Sequence, residues 1–378
     1  MRRWIAVSVA CAPIVVVAAV GCEKIIGADF GGRTLASLDG GLDGGQCTLI
    51  EPVGPPAAAI DNSGAFTIIA AVHTLDFGDT PDGGVPAYKS IGFNLDGRCP
   101  GDPAPCQPAP WTEAGASVGE NGVDNQVGAL LTNEVVAFNS NPINSVFLNE
   151  EVAKGDYAPL LLLRVSGYNG FDDDSQVKVE VLLAPAIPKP KWDGTDVYFA
   201  DPSTATLGPG DGGDSVVGRF VDERAYVNGF TLVAHVFPGE LSLANTTFKL
   251  TDVLVSAHLQ PVGTNAFTVA GTIAAHGRND DLLGIIPPLT KQFPGIAICE
   301  NNGVIYQQLK TWICSNADSV VDGGPTGPGA VCNAASLGVR FVATSVQLGG
   351  LADIPDGGPL CDAGTDPIDD SCLIPIAP

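Results

Sequence analysis

Positive charge is scarce in this 378-residue chain: 18 Lys and Arg residues stand against 42 Asp and Glu residues, for a formal net charge of −24. Nucleic-acid binding needs a basic surface that neutralises phosphates, so this balance excludes a nucleic-acid partner. Charged residues make up only 16% of the chain and hydrophobic residues 45%, which excludes disorder of the whole chain. The 47 glycines and 30 prolines break helices and exclude a bundle of long helices.

Motifs of several enzyme classes are absent from the sequence. It contains neither the His-Glu-x-x-His motif of zinc peptidases nor the Gly-x4-Gly-Lys-Ser/Thr loop that holds nucleotide phosphates. We therefore expect no nucleotide as ligand. The four histidines are scattered, and His73 and His235 lie in strand-like runs, where a structural role is expected.

The first 22 residues have the layout of a bacterial export signal. A short basic start, residues 1–3, precedes an apolar run over residues 4–20 that is too short for a comfortable membrane span. The run ends in Ala19-Val20-Gly21-Cys22. This ending resembles the lipobox of bacterial lipoproteins, in which small residues precede a cysteine that receives the lipid.

The resemblance implies that Cys22 is the lipid attachment site and the N-terminus of the mature chain, which is then anchored to a membrane through its lipid. The alternative is an ordinary cleaved signal with Cys22 in a disulfide. Residue 23 is Glu and not the Asp that often signals inner-membrane retention in such lipoproteins. We therefore expect the outer membrane or the cell surface of a bacterial envelope.

The chain divides into three parts on composition. Residues 1–21 form the lipoprotein signal peptide. Residues 22–56 form a Gly/Asp-rich stretch that predicts a flexible tether. Residues 57–378 form the folded body, and a division into two domains near residues 185–190 or 207–214 is the alternative.

Eight cysteines remain once Cys11 leaves with the signal and Cys22 is lipidated. An even number in an exported chain predicts four disulfides. The favoured pairs are Cys99 with Cys106, across a Pro-rich loop, and Cys361 with Cys372. The alternative is a zinc site, but no two cysteines have the close spacing that such a site needs. The predicted disulfide cysteines are Cys47, Cys99, Cys106, Cys299, Cys314, Cys332, Cys361 and Cys372.

The body is rich in Val, Thr, Phe and Ile with turn signals at short intervals, which predicts antiparallel β-structure. In residues 176–183 the odd-numbered positions are apolar and face one way, while Lys178 and Glu180 face the other way, toward solvent. Residues 160–163 are apolar throughout, as is typical of a strand covered on both faces. Strands are predicted over residues 65–72, 88–95, 160–165, 176–183, 225–237, 248–259, 267–275 and 337–348, and helices near residues 141–155, 280–286 and 302–314.

These elements predict a mainly β fold. We expect one antiparallel β-sandwich of the jelly-roll or lectin-like kind, with a few short helices and a disulfide-rich C-terminal segment.

Two groups of residues are candidates for ligand binding. Asp172, Asp173 and Asp174 form the densest acidic run and could hold calcium beside a sheet; a solvated loop is the alternative. Trp111 and Trp192 lie in Pro- or Gly-containing loops and could stack on a sugar, or fill the edge of a core.

No catalytic residue is assigned. A glycosidase needs two opposed carboxyl groups, but the sequence cannot show which of its glutamates are paired. The first hypothesis is therefore an envelope lipoprotein that displays a non-catalytic sandwich to bind a polysaccharide or a partner protein, with calcium the one cofactor considered. The alternatives are a secreted carbohydrate-active enzyme with paired carboxylates and a structural member of an envelope complex. The candidate carboxylates are Glu150, Glu151, Glu180, Glu223 and Glu240.

Overall fold

Eight antiparallel strands close into a β-barrel. The computed structural model describes residues 49–57, 64, 66–79, 87–99, 102–112, 122–133, 144–157, 159–210, 213–236, 239–243, 246–263, 266–284, 304–322, 327, 329–354 and 370–373. The barrel strands, in chain order, are β1 (Phe66–Asp76), β2 (Leu160–Tyr168), β3 (Asp174–Ala184), β7 (Phe220–Asn228), β8 (Thr231–Val236), β10 (Thr246–Pro261), β11 (Phe267–Arg278) and β12 (Ala334–Ser345).

Each barrel strand pairs with the next one along the chain, and β12 pairs back with β1. The expected β-sandwich is therefore wrong. Hydrophobic alternation shows which face of a strand is buried, but it does not show whether the first and last strands pair with each other. That last pairing turns an open sheet into a barrel.

The barrel interior is filled by apolar side chains. Across β11 and β12, Val269 lies opposite Ala343 and Ile273 opposite Val339, and all four are at most 3% exposed. At one end the rings of Phe66 and Tyr168 lie edge-on to Phe267 at centroid distances of 6.4 and 6.2 Å. A barrel of eight strands is just wide enough for such side chains to fill it. The interior is thus a packed core.

The connections divide by length between the two ends of the barrel. Three short connections join neighbouring strands at one end, which we call the turn end; they comprise residues 169–173, 229–230 and 262–266. Longer connections emerge from the opposite end, which we call the insertion end. These four insertions comprise residues 77–159, 185–219, 237–245 and 279–333.

The insertions carry the remaining elements. The small strands are β4 (Val197–Ala200), β5 (Ala205–Gly210), β6 (Gly213–Gly218) and β9 (Gly239–Leu243), and β13 (Gln347–Leu351) follows the barrel and pairs with β4. The helices of the described residues are α1 (Gln126–Asn133), α2 (Ser145–Lys154), α3 (Asn279–Gly284) and α4 (Val304–Ser315), with a 3-10 turn at Ala87–Ser90. α1, β4–β6, β9 and β13 were not predicted from the sequence.

Parts of the chain cover the outer wall of the barrel. Phe93 packs there against Val233, Leu254 and Ala274, together with Ile50. Residues 49–56 thus lie on the wall, although the sequence places them in the flexible tether. The stretch is held there because the apolar side chain of Ile50 packs against the wall.

Two predicted strands fold differently. Residues 88–95 form the 3-10 turn and an irregular stretch, because Tyr88 and Ile91 are buried at a spacing that does not alternate. The strand predicted over residues 225–237 is instead part of the β7–β8 hairpin, which is described as far as Val236. Gly229 and Phe230 have φ values of 59° and 63°, as the two central residues of a type I′ turn require.

The three predicted helices are present with shifted bounds. α2 begins after Asn144, whose side chain accepts a hydrogen bond from the backbone N–H of Phe147, and ends at Gly155 with a left-handed φ of 78°. The sequence predicted this helix from near residue 141, which lies outside the described residues.

Candidate functional site

The insertions at the insertion end of the barrel carry all of the described helices and the small strands β4, β5, β6 and β9. α2 packs beside the end of β1: Ser145 donates to Asp79 there and accepts from the backbone N–H of Phe77. Leu282 of α3 covers Gly277, where a Cβ atom would meet the Leu282 side chain at 3.3 Å. Such loops on a rigid scaffold are the usual place for binding residues.

Two disulfides fasten these insertions. Cys106 is bonded to Cys332, and Cys314 at the end of α4 to Cys372. Cys99 also takes part in a disulfide. The favoured pairs of the sequence analysis, Cys99–Cys106 and Cys361–Cys372, are wrong, because Cys106 and Cys372 have these distant partners.

Cys47, Cys299 and Cys361 lie outside the described residues, as does Cys22. The predicted pairs joined cysteines that are close along the chain, whereas Cys106 and Cys372 pair with cysteines that are distant along it. The loop that closes between Cys106 and Cys332 spans 226 residues and contains six of the eight barrel strands.

A buried ionic contact holds the C-terminal segment. Lys310 of α4 lies 2.6 Å from Asp370, and its side chain is 4% exposed. Tyr306 donates to the same carboxylate at 2.7 Å. Burial, with that carboxylate beside it, raises the pKa of Tyr306, so the phenol stays a neutral donor.

Four titratable side chains meet around a buried serine in what we call the Asp318 cluster: Asp318, Ser336, His276, Asp252 and Asp124. Asp318 accepts the backbone N–H of Ser336 at 2.9 Å and its hydroxyl at 2.5 Å. His276 lies directly across from Ser336 on β11, and its Nδ1 is 3.4 Å from Asp252. Nδ1 is buried and makes no hydrogen bond to any described residue.

The cluster ties two insertions to the barrel wall. Asp124 precedes α1 and accepts the backbone N–H of Leu95 at 2.7 Å. The next residues, Asn125 and Gln126, bond to Gly338 and Ser336 on β12. Asp318 lies between α4 and β12, in the insertion of residues 279–333.

Burial dominates the electrostatics of this cluster. It raises the pKa of Asp124 to about 7, with the Asp96 carboxylate adding to the effect, although two backbone N–H groups act against it. Burial also raises the pKa of Asp318. The neighbouring His276 ring, whose Nδ1 lies 3.4 Å away, lowers the pKa of Asp252, whose side chain is half exposed.

Serine, histidine and aspartate meet in this cluster, yet the contacts are not those of a nucleophile. In a hydrolytic triad the serine hydroxyl bonds to the histidine. Here the Ser336 hydroxyl donates to Asp318 and accepts from the backbone of Gln126, and Ser336 is fully buried. The arrangement suits holding two segments together.

The Asp172–Asp174 run stabilises the turn end. Asp173 accepts the backbone N–H of Gly229, and Asp174 those of Asn169 and Gln176. Within the described residues, no group of three or more His, Cys, Asp and Glu side chains could hold a metal ion. The three carboxylates therefore do not assemble the expected calcium ligands.

Both candidate tryptophans pack against the core. Trp111 donates from Nε1 to the carbonyl of Cys372, and the Lys310 ammonium lies 5.8 Å from its ring centroid. Trp192 lies 5.2 Å from His73 and 6.3 Å from Tyr198, between ring centroids. Neither indole stands free on a surface, as sugar stacking would need. His73 bonds to Thr344 and has the structural role expected of it.

Glu180 is buried, and the expectation that it faces solvent is wrong. It forms an ion pair with Arg164 on β2 and accepts the backbone N–H of Gly218 at 3.0 Å. The reason is the β5–β6 hairpin, which folds over this part of the outer wall and supplies Gly218. Glu150 and Glu223 are exposed, and Glu151 pairs with Lys154 at 2.7 Å.

One nucleophile-like pattern lies outside the described residues. Gly115-Ala116-Ser117-Val118-Gly119 has the spacing of a nucleophile elbow. In hydrolases this elbow follows a buried strand, whereas here the described residues before it, 102–112, form no strand beyond a bridge at Gln107. Ser117 is therefore a control residue for any turnover assay.

No protein-family model, curated protein or solved structure matches this chain. Among the helices of the described residues, none is sufficiently long and apolar to span a membrane.

Proposed function

We propose that this chain is an exported bacterial envelope lipoprotein, anchored through Cys22, whose β-barrel displays a non-catalytic binding surface at its insertion end. The ligand is a polysaccharide or a partner protein. The observation that carries this proposal is that all four long connections emerge from the same end of the barrel.

The packed interior supports a surface site. Barrels that hold a ligand inside leave room for it, whereas here the inward positions carry buried apolar side chains. A ligand is therefore expected to contact the loops and helices of the insertion end.

The fastening of the insertions supports binding as well. Two disulfides, the Asp318 cluster and the Lys310–Asp370 pair hold these segments in place before any ligand arrives. Pre-ordered loops lose less conformational entropy on binding, which favours affinity.

The anchor is tested by mass spectrometry of the membrane fraction. We expect the mature N-terminal peptide to begin at Cys22 and to carry the mass of its acyl chains. An unmodified soluble chain would contradict the lipoprotein assignment.

The binding surface is tested on a glycan array, with the same glycans offered in a turnover assay. We expect retention without product, and loss of retention in Glu150→Lys on α2 but not in Glu223→Lys on the barrel wall. If no glycan is retained, the polysaccharide alternative is wrong. Product that disappears in Ser117→Ala would contradict a non-catalytic role.

A further inference from the structure

The turn end presents apolar side chains at the tips of its short connections. Phe171, in the turn between β2 and β3, is 69% exposed, and Val262, after β10, is 57% exposed. Val53 lies against the end of β7, where its carbonyl accepts from Tyr226, and is 45% exposed. Apolar side chains grouped on one exposed surface mark an interaction site.

A backbone hydrogen bond and a ring contact link the first two turns to the strand that leads to the third. The backbone N–H of Phe230 donates to the carbonyl of Asp172 at 2.7 Å, which joins the first two turns. The Phe230 ring lies 6.1 Å from the ring of His258, on the strand that leads to the third turn.

Phe230 is also held in an unfavourable backbone conformation. Its φ of 63° is one that a bulky residue rarely adopts, and glycine or asparagine is the usual occupant of this turn position. An aromatic residue kept at such a cost points to a use for its side chain.

The charge at this surface favours a neutral partner. The three turns contain no Lys or Arg, and Asp172 is exposed beside Phe171. Attraction to anionic lipid or to another acidic surface therefore cannot drive contact. Burial of the apolar tips in a lipid interface can drive the contact instead.

We infer that the turn end rests on the lipid bilayer that holds the Cys22 anchor, so that the insertion end points away from the membrane. This inference rests on the proposed lipid anchor. The 27 residues from Cys22 to Leu49 span at most about 90–100 Å, which is ample for the turn end to reach the bilayer. The chain from the anchor enters the described part of the molecule on the wall, where Ile50 packs, and reaches the last residue of β7, at the turn end, by Gly54.

The test uses full-length lipidated protein in phosphatidylcholine vesicles with brominated acyl chains, which quench nearby tryptophan. Phe171→Trp and Val262→Trp report on the turn end. Phe199→Trp, on β4 and 46% exposed in the parent, is the matched control. Each is compared with the parent chain, so the native tryptophans cancel.

We expect the added emission of both turn-end variants to be lost in brominated relative to ordinary vesicles, while that of Phe199→Trp is kept. Replacing part of the phosphatidylcholine with phosphatidylglycerol should not increase this loss. If the protein floats with the vesicles but the turn-end tryptophans are not quenched, the inference is overturned and the anchor stands. If the protein does not float, the anchor itself fails and the inference falls with it.

Discussion

The ion pair between Arg164 and Glu180 shows how a single residue depends on a distant segment. Burial by itself would raise the pKa of Glu180, but the hydrogen bond and charge of Arg164, with Gly218 and Lys178, outweigh it and leave the pKa lowered. Because the folded pKa is lowered, the pair contributes stability above the ordinary pKa of 4.5, and this contribution is lost as the pH falls.

We expect Glu180→Gln to destabilise the fold by about 3–5 kcal/mol, because it leaves the Arg164 charge buried without its partner. Urea denaturation at neutral pH measures the change. Glu223→Gln, on the exposed part of β7, should change the free energy of unfolding by less than about 0.5 kcal/mol. Equal stability of the two variants would show that Glu180 is solvated.

Asp124 has the opposite pH dependence. Its pKa of about 7 lies above the ordinary value of 3.8, so folding takes up a proton between about pH 4 and 7. The stability that this group contributes is therefore present at low pH and falls as the pH rises through that window.

Asp124→Asn keeps an oxygen for the Leu95 amide but cannot ionise. We expect it to exceed the parent chain in stability by roughly 1–3 kcal/mol at pH 8 and to differ little at pH 4. Thermal melting at both pH values measures this, with exposed Asp353→Asn as the control. A stability gap of the same size at both pH values would contradict the assignment.

At the scale of elements, strand faces could be predicted from the sequence and strand partners could not. The unbroken apolar run of residues 160–163 is buried throughout, as expected of a strand covered on both faces. The odd positions of β3 face the core as predicted. Both predictions depend on local periodicity alone.

The errors come from contacts between distant segments. Closure needs β12 to meet β1, more than 250 positions earlier in the chain. The cover over Glu180 comes from the β5–β6 hairpin, which was not predicted from the sequence. The Asp318 cluster joins residues 124, 252, 276, 318 and 336, which share no motif. Local sequence patterns do not link such distant positions, so they could not predict this cluster.

The insertion that carries residues 87–99 lies directly on β12. At Gly338 of β12 a Cβ atom would lie 2.2 Å from the carbonyl oxygen of Ile91, so only glycine allows this approach.

We expect Gly338→Ala to cost about 1–3 kcal/mol, because the insertion must move off the wall. Gly350→Ala is the matched control, since nothing lies within 4 Å of its added Cβ. Thermal melting compares the two, and an equal melting temperature would mean that the insertion does not rest on β12 in solution.

At the scale of the whole molecule, the two ends of the barrel have different surfaces. The turn end has short connections with exposed apolar tips, and the insertion end has helices and loops held by disulfides and buried polar contacts. The acidic net charge of −24 does not identify a site. The acidic side chains of the turn end instead fix turns, as Asp173 and Asp174 do.

The central claim is that these two ends have different partners, a bilayer at the turn end and a ligand at the insertion end. The most direct measurement introduces a photoreactive residue into the lipidated protein in its native membrane, at one position at a time. The positions are Glu150 and Asp280 at the insertion end, Phe171 at the turn end, and Phe199 on β4 as the control. We predict adducts with a polysaccharide or protein from Glu150 or Asp280 and with phospholipid from Phe171. Phospholipid adducts from the insertion end, or a macromolecular adduct from Phe171, would contradict the account.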